Sequence, residues 1–62
     1  MARTVTLARM LQAAEREVAM RRKAYPNMVA KKRMTAEEAA EEINAMQGIV
    51  EVLRVMQSAG VD

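Results

Sequence analysis

Leu7, Leu11, Ala14, Val18, Arg21 and Tyr25 follow one another at spacings of four, three, four, three and four residues. At helical pitch that rhythm confines them to one narrow stripe, and a strand, with its period of two, cannot bring them together. Met10 joins the stripe, while Arg9, Gln12, Arg16 and Lys23 take the opposite face. The segment is read as an amphipathic helix beginning after Thr4, whose hydroxyl suits an N-cap. Glu17 and Arg21 add an i,i+4 ion pair in the favourable order.

Pro26 interrupts this pattern. Proline lacks an amide hydrogen, crowds the carbonyl four residues back and biases Tyr25 away from helical angles. Met28, Val29 and Ala30 still read as helical. Two outcomes are open: a kink at Tyr25–Pro26, or a break with a short helix restarting at Pro26.

Residues 33 to 38, RMTAEE, mark a second helix start. Thr35 and Glu38 match the S/T-x-x-E capping box, in which hydroxyl and carboxylate satisfy each other's backbone amides. Glu37 and Glu38 lie at the positive end of the helix dipole, and Lys31, Lys32 and Arg33 are read as the last turn of the preceding helix, near its negative end. The charge reversal at the joint therefore needs no ligand to explain it. The second helix should end near Ala59, with Gly60 as its C′ residue and Val61 touching Met56. Its inner stripe is Ala39, Ile43, Met46, Val50, Leu53 and Gln57.

With the joint near Met34, paired positions in an antiparallel hairpin sum to about 68. Tyr25 then meets Ile43, Val18 meets Val50, and Leu11 meets Met56 and Gln57. The expected fold is all-α, a single helical-hairpin domain over residues 1–62, with helix 1 at about 4–32 and helix 2 at about 36–59.

Sixty-two residues with no cysteine and no histidine restrict how such a hairpin is stabilised. At this size only about 60% of the unfolded surface is buried, and disulfides and the usual zinc or iron ligand sets are excluded. Self-association is the remaining remedy. The outer face of helix 2 supplies a surface for it. Glu37, Glu38, Glu41 and Glu42 occupy its first turns, but Ala45, Gly48, Ile49, Val52, Val55 and Met56 follow in the same sector. One hairpin cannot cover both this sector and the inner stripe. A homodimer, arranged as a four-helix bundle, is expected there, with docking of a different protein as the competing reading.

The charge pattern is uneven. Residues 1–33 carry nine Lys/Arg and two Glu, while residues 34–62 carry one Arg, five Glu and one Asp. Arg9, Arg16 and Lys23 repeat every seven residues, and Arg22, Lys31, Lys32 and Arg33 extend the positive surface toward the joint. Such a stripe can follow phosphates, so a basic nucleic-acid-binding dimer is one function class. Only Tyr25 could stack on bases, and few Asn or Gln could read base edges. A solvated face is the plainer meaning of the stripe.

Catalysis finds little support. Without His or Cys there is no nucleophile–base pair and no acid poised near neutrality. The i,i+4 pairs Glu37/Glu41 and Glu38/Glu42 have neither an aromatic wall nor a glycine-rich loop around them. No catalytic residue, metal ligand or cofactor site is assigned. No apolar run approaches the roughly 18 residues of a membrane span, and the N-terminus lacks a signal-peptide core. Trp and Phe are absent, so the basic helix is not read as membrane-binding. Met10 and Met46 are read as core, and Met20, Met28, Met34 and Met56 remain for contacts with partners.

The stretch MRRKAYPNMVAKKRMTAEEAAEEINAMQGIVEVL, residues 20–53, resembles short helical proteins encoded by bacteriophages and prophages. The shared pattern is an Arg-rich helix end, Tyr-Pro, an apolar residue, and Met-Thr before a Glu-rich helix. Here it falls on Arg21, Arg22, Tyr25, Pro26, Val29, Met34, Thr35, Ile43 and Met46. The motif carries no catalytic site. The resemblance implies a non-enzymatic protein that binds and inhibits or modulates a host protein, CRISPR effectors and other defence machinery included, in the cytoplasm of a bacterial host. The basic side chains named above would then make the electrostatic contacts with that partner.

Overall fold

A computed structural model describes residues 5–60 of the chain. Two helices form, α1 over Leu7–Ala30 and α2 over Ala36–Ser58, and they pack against each other as an antiparallel hairpin. α1 starts later than the periodicity predicted. Its N-cap is Thr6, whose hydroxyl accepts from the Arg9 amide at 3.2 Å. A cap at Thr6 opens the helix directly at Leu7, the first buried residue of the stripe, and leaves Val5 exposed. Thr4, the expected cap, and Val61, the expected contact of Met56, lie outside the described residues.

α1 runs through Pro26 without a break, so no new helix restarts there. The missing amide removes one hydrogen bond. Packing on the far side holds the helix together, because Tyr25, Met28 and Val29 are all half-buried.

The helix ends at Ala30 rather than at residue 32. Lys31 is the C-cap, and Lys32 turns into the left-handed region at φ 59°. The Lys32 amide donates to the Val29 carbonyl at 3.0 Å and the Arg33 amide to the Met28 carbonyl at 2.9 Å. Those two bonds define a Schellman stop. Lys31, Lys32 and Arg33 therefore cap and leave the helix instead of forming its last turn. They still sit at the negative end of its dipole.

A lysine at this left-handed position strains the backbone where glycine would not. Lys32→Gly is expected to stabilise the fold by about 0.5–1 kcal/mol, a rise of several degrees in the midpoint of a thermal melt followed by circular dichroism.

α2 begins as the sequence predicts. The Glu38 amide donates to the Thr35 hydroxyl at 3.0 Å, and the Thr35 amide donates to the Glu38 carboxylate at 2.9 Å. The helix closes at Ala59, and Gly60 adopts φ 82° while its amide donates to the Gln57 carbonyl.

Leu11, Ala14, Val18 and Val50 make the core, with Met46 and Leu53 packed against it, and Leu7 and Ala39 are buried beyond either end. Val18 and Val50 share one cluster, as the register predicts. Two polar pairs cross between the helices: the Arg22 guanidinium to the Gln47 side-chain carbonyl at 3.5 Å, and that of Arg54 to the Glu15 carboxylate at 2.7 Å. Each pair lies one residue from the expected register. Gln57 and Met56, expected opposite Leu11, are exposed, and Leu53 packs against the core. Met10, read as core, is 41% exposed.

The hairpin measures 41 × 27 × 15 Å. Its thinnest dimension exceeds the roughly 10–12 Å diameter of one helix only slightly, so the fold is a single layer. No helix among the described residues is long and apolar enough to cross a membrane.

Candidate interaction surfaces

A single layer of two helices leaves both broad faces in water, and the two differ. One flank of α2 carries Gln47, Glu51 and Arg54, and both polar pairs to α1 lie along it. Glu15 and Arg54 are each about half-exposed, which limits their pairing to roughly 0.2–1 kcal/mol. This flank is closed by polar contacts.

The opposite flank of α2 is apolar and open. Ile49 is 49% exposed, Val52 59%, Val55 68% and Met56 38%. Ala45, Gly48, Ile49, Val52 and Leu53 line one shallow groove, and Gly48, Glu51, Val52, Val55 and Met56 line the next. All six residues expected at a partner interface thus border one continuous surface. Gly48 is its low point: a Cβ built there would meet nothing within 4 Å. Within the hairpin, then, nothing requires a glycine in the middle of a helix, where it costs about 1 kcal/mol relative to alanine.

The second candidate surface is basic. Arg9, Arg16, Arg22, Lys23, Lys31, Lys32 and Arg33 are all exposed. Arg22 is engaged with Gln47. The side chains of the other six form no salt bridge among the described residues, whose two ion pairs are Arg21–Glu17 and Arg54–Glu15. Glu37, Glu41 and Glu42 likewise form no salt bridge, so the acidic start of α2 does not neutralise the patch by direct contact.

Periodicity placed Arg21 in the inner stripe, and the structure shows how a cation is accommodated there. Desolvation opposes its charge, but hydrogen bonds to Glu17 and to the Tyr25 hydroxyl at 3.2 Å outweigh it, and the guanidinium pKa is raised. The Glu17–Arg21–Tyr25 chain lies along one helix and belongs to its structure. Spacing alone disclosed the Glu17–Arg21 pair, but not the third member.

One depression near the joint was not anticipated. Tyr25, Met34, Glu38, Glu41 and Glu42 line it, and it is open to solvent. Glu38 is already committed to the capping box. Comparison with protein-family models, with curated proteins and with solved structures finds no match to this chain.

Proposed function

We propose that the chain is a small non-enzymatic interaction protein that associates into a four-helix bundle and binds an acidic surface of a host protein, in the manner that the resemblance to phage-encoded proteins implies. The observation that carries this reading is the row of exposed cations that form no ion pair among the described residues: Arg9, Arg16, Lys23, Lys31, Lys32 and Arg33. Ion pairs within the fold would have consumed such a row. Left unpaired, it produces a positive field that speeds encounter with a negative partner and weakens as salt rises. An inhibitor or modulator of host defence is the role that joins this surface to the resemblance.

The same row supports a second reading. Arg9, Arg16 and Lys23 recur every seven residues, or about 10.5 Å along the helix, and none of their side chains forms an ion pair among the described residues. A dimer would present two such rows, suited to nucleic-acid phosphates.

The test compares wild type with Arg9→Glu/Arg16→Glu/Lys23→Glu. For the protein-binding reading, wild type immobilised at low salt is expected to retain a specific host protein, and the triple variant to lose it at least about tenfold. Gel shifts with random duplex and single-stranded DNA and RNA decide the alternative. Micromolar binding that falls steeply with salt establishes it, and no shift at low salt removes it. Retention of the same host protein by the triple variant overturns the electrostatic reading.

A further inference from the structure

We propose that the apolar flank of α2 is closed by a second copy of this chain, with the two α2 helices antiparallel about a two-fold axis passing between Ile49 and Val52. The inference rests on the dimeric reading above and not on any role of the basic surface.

Ala45, Ile49, Val52 and Met56 are spaced four, three and four residues apart, the rhythm of a helix–helix seam. On the helix this seam is rotated by about 110° from the inner stripe that faces α1. A helix in a four-helix bundle touches its two neighbours at about a right angle, so one seam serves α1 and the other is ready for a fourth-corner neighbour.

The order of sizes along the seam points to a copy in reversed direction. The two-fold sets Ala45 against Met56 of the partner copy and Ile49 against its Val52. It also lays Gly48 beside Val55 of the partner copy. Small residues thus meet large ones in every layer but the central one, which pairs two branched residues of similar volume. Gly48 acquires a purpose that the hairpin does not provide, since it makes room for the neighbouring helix. A parallel arrangement would instead set Met56 against Met56 and Ala45 against Ala45, crowding one end and emptying the other.

Area agrees with this occupant. The chain exposes 4991 Å² at 6.9 kDa, whereas a compact monomer of that mass exposes roughly 4000 Å². The difference, about 1000 Å², is close to the ~800 Å² that each partner contributes to a standard interface. A second copy is also the one partner present whenever the chain is made, and a layer this thin gains stability from a partner.

The chain has no cysteine, so single cysteines report the pairing directly. Ala45→Cys and Met56→Cys chains, each oxidised alone, are expected to give little covalent dimer. Like positions lie about 16 Å apart along the antiparallel seam, beyond the roughly 7 Å between Cα atoms that a disulfide spans. Mixed before oxidation, the two chains are expected to form a heterodimer of one each. A size exchange checks the same layer without cross-linking. Ala45→Met and Met56→Ala are each expected to raise the dimer dissociation constant at least about tenfold, and the double variant to recover most of that loss.

Self-linking by either cysteine variant, or a double variant no better than its parents, overturns the antiparallel seam while leaving a dimer in place. A wild type that is folded and monomeric in sedimentation at 100 µM (a test concentration of about that order) overturns the second copy altogether and leaves the flank to a different protein.

Discussion

Replacing Val50 with aspartate is expected to leave the chain without a cooperative thermal transition and with little helix at 25 °C. Val50 is 2% exposed and stands at the centre of the cluster formed with Leu11, Ala14 and Val18. Arg22 and Arg54 border the same surface depression as Val18 and Val50, but their side chains are engaged with Gln47 and Glu15. A carboxylate placed in that cluster loses its hydration, and a buried charge costs several kcal/mol even after relaxation unless it is fully paired. A fold of this length has only about 3–9 kcal/mol to lose. Far-UV circular dichroism against temperature decides the matter, and a sigmoidal melt within a few degrees of wild type would contradict the assignment of Val50 as the keystone of the core.

Two residues further on, Val52→Glu is expected to act on assembly instead. Val52 is 59% exposed in the hairpin, so a carboxylate there stays hydrated and the single chain has no reason to lose its helices. In the proposed dimer the same carboxylate sits next to the two-fold axis, facing an apolar layer and, across it, its own like-charged counterpart. Light scattering at tens of micromolar is expected to give a mass near 6.9 kDa for the variant and twice that for wild type, a change in dissociation constant on the order of a hundredfold or more. The variant melts at a lower temperature, because the bundle no longer supports it, but it remains helical in the cold. Equal masses for the two proteins would remove the proposed interface.

These neighbouring valines show how much the sequence disclosed. Periodicity separates them without ambiguity, since Val50 shares a stripe with Ala39, Ile43 and Met46, and Val52 lies in the outer sector with Ile49 and Met56. The cap of α2 was equally legible, because Thr35 and Glu38 bond to backbone within three residues of themselves. Local chemistry of that kind needs no knowledge of the fold.

The errors are also instructive. Thr4 and Thr6 are chemically alike, and the choice between them depends on where Leu7 is buried. Pro26 left a kink and a break both open, and only the structure shows that the helix continues, with Tyr25, Met28 and Val29 half-buried around the proline. The left-handed turn at Lys32 was invisible because nothing in a lysine advertises it. Met10 shares a helical sector with Leu11 and Ala14, but α2 is one cylinder wide and cannot cover the edge of a stripe.

The candidate surfaces were legible as composition and became specific only in the fold. The seven basic residues could be counted in the chain, and so could the glutamates after Thr35. Opposite charges at those densities could have cancelled, and whether they do depends on distances between side chains on two different helices.

By itself the sequence determined that this protein is two amphipathic helices joined near Met34, with named inner stripes and a capped second helix, because each of those features follows from interactions within a few residues along the chain. The tertiary structure alone decided where α1 starts and stops, which cations remain unpaired, and that Gly48 faces open space. Those outcomes depend on how one helix is shifted and rotated against the other, which interactions within a few residues along the chain do not set.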